Sequence, residues 1–96
     1  MVFLKKINNF KVIFFDFDGV LTNNKVYVCS NGEEFVECSR ADGLAFDGFR
    51  KINFKSVIVS SETNNVVLER AKKLQVQCFN KVKNKKLFLQ KYCEEK

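Results

Sequence analysis

The chain has 96 residues, 46% of them hydrophobic, and a formal net charge of +6 from 17 basic and 11 acidic residues. That length allows one domain, and eleven Phe are ample for a packed core and argue against a disordered polyelectrolyte. So short a chain buries a smaller share of its surface than a full α/β domain, and marginal stability is expected unless partner chains cover part of it.

The lysines are spread along the sequence, with local density at Lys81, Lys83, Lys85 and Lys86, and Asn is abundant as well. A general Lys/Asn bias explains the charge, and no nucleic-acid-binding motif accompanies it. Cys29, Cys38, Cys78 and Cys93 form no C-x-x-C pair, and His is absent, which argues against a Cys/His zinc site. Lys5 and Lys6 are not followed by an export-type apolar run, so free thiols in a cytoplasmic protein are expected. No apolar stretch approaches membrane-spanning length, and no membrane partner is expected.

Along the chain, Lys11 to Asp16 (KVIFFD) reads as a strand covered on both faces, closed by a turn at Asp18-Gly19. Val26 to Cys29 and Glu34 to Cys38 flank Ser30-Asn31-Gly32 and predict a hairpin, with residues 24–39 as a flap. Asp42 predicts the cap of a helix running to about Ile52, with Ala45, Phe49 and Ile52 on its inner face. Lys55 to Ser60 (KSVIVS) is a second buried strand. Thr63 or Ser61 then caps a helix whose inner face is Val67, Ala71 and Leu74. Val76 to Phe79 is a short third strand. Asn84 caps a last helix that turns Phe88, Leu89, Tyr92 and Cys93 inward.

This order predicts an α/β fold: parallel strands joined by crossover helices, with a hairpin inserted after the first strand. Ligands of such sheets bind at the carboxyl ends of the strands. Asp16, Asp18 and Ser60 lie at or just beyond such ends.

Asp16 and Asp18 bring two carboxylates to one strand terminus, followed by Gly19-Val20-Leu21-Thr22. One carboxylate can attack phosphorus and form an aspartyl phosphate. The other can protonate the leaving oxygen and later deprotonate water. A Mg²⁺ ion held by Asp16 and Asp18 would offset the repulsion between carboxylate and phosphate. A plain turn of the D-x-D-G type is the alternative for the tetrapeptide taken alone.

With VIFF before it and Val-Leu-Thr after it, the segment resembles the first motif of haloacid-dehalogenase-type (HAD) phosphatases, DxDG(V/T)LT. The hairpin with Gly32-Glu33-Glu34 and then Arg40-Ala41-Asp42-Gly43-Leu44 resembles the capless subgroup acting on keto-deoxy sugar acid phosphates, and the likeness runs from about Phe10 to Tyr92. The resemblance implies a Rossmann-like three-layer HAD core and a phosphorylated sugar acid as substrate. It also implies a homo-oligomer, a tetramer, in which the hairpin assembles subunits and a neighbour closes the site. Asp16 would be the nucleophile, Asp18 the acid/base, and Ser60 and Lys85 the groups clamping the phosphoryl, with Lys86 the alternative to Lys85. Asp42 and Gly43 match the substrate loop, and a plain helix cap is the alternative for Asp42. Arg40 is placed to pair with a substrate carboxylate, and Arg70 stands where relatives aim an Arg at substrate, or is a solvated helix charge.

Some positions depart from the pattern. Ala41 stands where octulosonate-type members have Arg, Ser61-Glu62 where they have Gly-Arg, and Lys81 where a Gly is common. Residues 60–67 (SSETNNVV) resemble instead the STETNPVV of the cytidylyltransferase-associated branch, with Asn65 in place of Pro. The fourth motif, G-D-D-x-x-D, is absent before the chain ends at Glu94-Glu95-Lys96. The expectation is a truncated enzyme, or one completed by a partner, whose first strand is left as an unpaired sheet edge. The alternative function is a non-catalytic module that oligomerises through its hairpin.

Overall fold

The computed structural model describes residues 2–7 and 10–95. Met1 and Lys96, the outer bounds of the single domain read from the sequence, lie outside the described residues. In chain order the elements are β1 (Val2–Ile7), β2 (Phe10–Phe15), β3 (Thr22–Val28), β4 (Glu34–Cys38), α1 (Ala41–Lys51), β5 (Phe54–Val59), α2 (Val66–Leu74), β6 (Gln77–Phe79) and α3 (Lys85–Glu95). β1, β2, β5 and β6 form one sheet in that order, and β3 and β4 form a separate hairpin sheet.

β2, β5 and β6 run parallel, with Phe14 opposite Val57 and Val59 opposite Phe79. Their apolar runs are continuous because both faces are covered. Ile58 joins Phe17, Leu21, Phe46, Val67, Ala71 and Leu74 in a core under α1 and α2. The alternate residues Val12, Phe14, Val57 and Val59 meet Tyr92, Phe88 and Leu89 of α3 on the opposite face. Helix, sheet and helix therefore make three layers, and the period-2 alternation of β2 and β5 sorts side chains between the two cores. The α/β architecture predicted from the element order is the one observed.

The predicted bare edge on the first strand is not there. β1 pairs antiparallel with β2 over its whole length, from Val2 opposite Phe15 to Ile7 opposite Phe10. Its sequence, VFLKKI, carries two adjacent lysines that break apolar alternation and conceal the strand. The sheet is consequently mixed, and among the described residues its two edge strands are β1 and β6.

Local details also differ from expectation. Asp42 lies inside the first turn of α1, which starts after Arg40, and the Ser39 hydroxyl accepts the Ala41 N–H at 3.2 Å. Phe46 and Phe49 form the inner face of α1, while Ala45 and Ile52 are exposed. The packing follows Phe46 because its ring meets Phe15 at 5.1 Å between centroids, edge to face. At α2, Asn64 rather than Thr63 or Ser61 accepts a first-turn N–H, that of Val66, at 3.0 Å. The face Val67, Ala71 and Leu74 is buried as predicted. Asn84 caps α3 as predicted, its Oδ1 accepting the Leu87 N–H at 3.0 Å.

The hairpin closes through a turn in which the Gly32 N–H reaches the Cys29 carbonyl at 2.9 Å. Gly32 has φ +89°, a conformation that disfavours a side chain. Val36 and Cys38 at the base of the hairpin pack against the main core. Farther out, Val26, Tyr27, Val28 and Phe35 stand 52–65% exposed.

Candidate active site

Asp16 leaves the carboxyl end of β2, and Ser60 leaves that of the neighbouring parallel strand β5. Between the two carboxylates, Phe17 is fully buried and anchors the chain in the core under α1 and α2. The backbone then turns: Leu21 N–H donates to the Phe17 carbonyl at 2.8 Å, and Gly19 takes φ +79°, a conformation open mainly to glycine. The Thr22 hydroxyl holds the turn from below, accepting the Gly19 N–H at 3.2 Å and the Asn24 N–H at 3.1 Å. The motif D-F-D-G-V-L-T thus sets two carboxylates around one buried ring.

Asp16 Oδ1 accepts the Phe17 N–H at 2.9 Å and the Lys85 ammonium at 2.8 Å. The two side chains are 25% and 24% exposed, so the pair is less screened than one on open surface. Lys85 opens α3 and makes this contact, while Lys86 beside it is exposed. The carboxyl of Asp18 is held above its ordinary pKa, first by partial withdrawal from water, then by the negative charges of Glu62 and Asp16, against the opposing effect of Lys85. An acid with such a bias holds its proton longer as pH rises.

Ser60 is 1% exposed and ties three segments together. Its N–H donates to the Phe79 carbonyl and its own carbonyl accepts the Val82 N–H, both at 2.9 Å. Its Oγ accepts the Glu62 N–H at 3.0 Å. The Lys81 N–H reaches the Glu62 carbonyl at 3.1 Å, with Lys81 at φ +59°, where the sequence resemblance expected Gly. The loop after β5 and the loop that delivers Lys85 are therefore stitched to each other.

The structure brings Asp16, Asp18, Ser60 and Lys85 to this one end of the sheet. Among the described residues, no hydrogen bond or ion pair joins the other predicted residues to these four. Arg40 stands exposed at the start of α1, and Gly43 follows in its first turn. Asp42 lines a neighbouring depression with Thr22, Asn23, Glu37 and Ser39. Arg70 donates from Nη2 to the Ser39 carbonyl at 2.8 Å, which engages it with the chain rather than leaving it free over the site. Glu62, Asn64 and Glu34 were not singled out from the sequence. They line a crevice that reaches Asp18, together with Asn24, Lys25 and Val26. Glu62 and Asn64 sit in a loop without periodicity and Glu34 is an exposed first residue of β4, so no sequence signal separated them from solvated surface.

Among the described residues no cluster of three or more His, Cys, Asp or Glu side chains could hold a metal. Asp16 and Asp18 supply two carboxylates, which suits the way Mg²⁺ is commonly held by one or two carboxylates, waters and substrate phosphate. The donor set fits that share of a Mg²⁺ site.

A three-layer α/β core with a D-x-D-G turn after one central strand, a buried Ser after the next and a Lys opening the following helix is a HAD-like, Rossmann-like core. Solved structures similar in fold to this chain include HAD family hydrolases and 3-deoxy-D-manno-octulosonate 8-phosphate phosphatases. A HAD family hydrolase from Streptomyces avermitilis is 40% identical, with a TM-score of 0.81, over 88% of this chain and 48% of that one. The 3-deoxy-D-manno-octulosonate 8-phosphate phosphatase of Moraxella catarrhalis, solved with magnesium, phosphate and the sugar acid, is 22% identical with a TM-score of 0.78, over 85% of this chain and 48% of that one. A cobalt-bound deoxy-D-mannose-octulosonate 8-phosphate phosphatase from Haemophilus influenzae is 24% identical with a TM-score of 0.65, over 74% and 42%. The last two likenesses speak to the fold alone. The chain spans about half the length of the solved structures it matches. No family model matches the chain, and no curated protein matches it.

Proposed function

We propose that the chain carries the phosphoryl-transfer end of a Mg²⁺-dependent phosphate monoesterase acting on a keto-deoxy sugar acid phosphate. The observation that carries this reading is the 2.8 Å contact of Lys85 with Asp16 Oδ1 beside Asp18 at the strand termini. Asp16 attacks the phosphorus and becomes an aspartyl phosphate, while Asp18 gives its proton to the departing sugar oxygen. Asp18, now ionised, takes a proton from water as that water attacks the phosphorus, which releases inorganic phosphate and restores Asp16. Lys85 orients Asp16 and neutralises phosphate charge, and the Ser60 hydroxyl donates to a phosphoryl oxygen. Mg²⁺, held by Asp16 and Asp18, supplies charge neutralisation between carboxylate and phosphate when bound.

Arg40, Asp42, Gly43 and Arg70 belong in this reading to the substrate side, with Arg40 pairing with the sugar carboxylate. Subunits assemble, as a tetramer, through the apolar residues Val26, Tyr27, Val28 and Phe35, which stand more than half exposed on the hairpin. The four cysteines are free thiols, which suits the reducing cytoplasm, and no helix among the described residues is long and apolar enough to cross a membrane.

The test is phosphate release by this chain from octulosonate, nonulosonate and simple sugar phosphates, with and without Mg²⁺, and with Asp16→Asn as blank. Turnover lost on Mg²⁺ removal and in the variant supports the reading; turnover that survives in Asp16→Asn sinks it. The exposed hairpin favours a second reading, a non-catalytic oligomerising module. That reading predicts a folded oligomer without turnover, indifferent to Asp16→Asn.

A further inference from the structure

The hairpin sheet is not continuous with the main sheet, so its position over the site depends on side chains. Its base is fixed by Val36 and Cys38 packing into the core. Nearer its tip, Asn64 Nδ2 donates to Glu34 Oε2 of β4 at 3.1 Å. Asn64 is poised for that contact from two other directions. Its Oδ1 accepts the Val66 N–H at 3.0 Å, and its own N–H donates to Glu62 Oε1 at 3.0 Å. The Val66 contact orients the side-chain amide from the first turn of α2, and the Glu62 contact holds the Asn64 backbone beside it, which leaves Nδ2 directed at Glu34. Glu34 pairs with Val28 across the hairpin, toward its turn. Asp18, Glu34, Glu62 and Asn64 line the same crevice.

We propose that Asn64 and Glu34 are positioning residues whose hydrogen bond clasps the hairpin onto the α2 loop and closes one wall of the crevice leading to Asp18. The clasp is a single hydrogen bond at the rim of the molecule, strong enough to bias the hairpin inward and weak enough to open in ordinary thermal motion. For its catalytic consequence the inference rests on the proposed function; the mechanical part does not.

The test uses the ¹⁵N-labelled 96-residue chain and NMR relaxation of the hairpin amides against those of α2. Asn64→Asp keeps the acceptor for Val66 but sets a carboxylate against Glu34. Its hairpin amides should become more mobile than the native ones while α2 is unchanged. Adding Glu34→Gln places an amide donor opposite the new carboxylate, and native relaxation should return. Glu34→Ala, an exposed change with little bearing on folding, should also loosen the hairpin. Native hairpin relaxation in both Asn64→Asp and Glu34→Ala would overturn the clasp, as would equal loosening in the double variant. With a phosphomonoester substrate, Asn64→Asp should change KM by about threefold or more and leave kcat within about twofold, with KM restored in the double variant. A native chain that releases no phosphate counts against the proposed function, whereas the relaxation data decide the clasp either way.

Discussion

The ammonium of Lys85 lies 2.8 Å from Asp16 Oδ1, although the two residues are 69 apart in sequence. The contact depends on the whole architecture, because β2 delivers the carboxylate and the β6–α3 connection delivers the lysine. Ser60, at the end of β5 beside β2, hydrogen-bonds Phe79 at the start of that connection and Val82 within it. Any reading of the site as a mere turn has to account for this convergence.

Lys85→Met should reduce phosphate release by about 10²–10³-fold, the usual loss when one positioned charge donor is removed from a transition state. Lys86→Met, at an exposed neighbour, should change it less than about twofold. Steady-state assays of the two variants side by side check the assignment. Loss of the partly exposed ion pair should cost no more than about 1 kcal/mol of stability.

Ser60→Ala removes the acceptor of the Glu62 N–H inside a buried position. Urea unfolding should register a loss of about 1–3 kcal/mol, the range for a buried donor left unpaired. Phosphate release should fall in parallel.

Phe46 is 2% exposed and packs against Phe15 and Phe49. Phe46→Ala should cost about 3–5 kcal/mol, a large share of the ~5–15 kcal/mol that holds a small domain folded. Circular dichroism in urea should show the midpoint falling steeply, with partial unfolding in dilute buffer.

Asp18 has its pKa raised in the folded chain, chiefly by withdrawal from water and by Glu62. In metal-free buffer this penalises the ionised folded state at neutral pH. As pH falls through the raised folded value toward 3.8, the ordinary value taken for the unfolded chain, the penalty disappears. Asp18→Asn should therefore stabilise the chain at pH 7, with the gain fading in acid. Thermal melts across pH with a chelator present measure it.

Burial pushes the Cys78 thiol up to about 11, whereas Cys29 is exposed on the hairpin. Thiolate is the reactive form, so brief alkylation at pH 8 should label Cys29 well before Cys78. Peptide mass spectrometry reads the order directly.

Much of this arrangement was legible in the sequence because its signals were local. The unbroken apolar runs of β2 and β5 announced strands covered on both faces, and Val67, Ala71 and Leu74 announced the buried side of α2. D-F-D-G-V-L-T pointed to the candidate site through its resemblance to the first HAD motif. β1 was hidden because Lys5 and Lys6 interrupt its pattern, and its pairing with β2 comes from the neighbouring strand rather than its own residues. The inner face of α1 was misassigned because Ala45, Phe49 and Ile52 fit a helical stripe nearly as well as Phe46 and Phe49, and only the Phe15 ring decides between them. Glu62 and Asn64 act through a loop, where no periodicity marks a residue that hydrogen-bonds its neighbours.

The most direct test of the central claim is mass spectrometry of this chain, quenched in acid during incubation with a sugar acid phosphate and Mg²⁺. A phosphoryl group on the peptide containing Asp16, absent from Asp16→Asn and persisting longer in Asp18→Asn, is the predicted result. Phosphate release from native protein with no label on that peptide, or release undiminished in Asp16→Asn, would contradict the account.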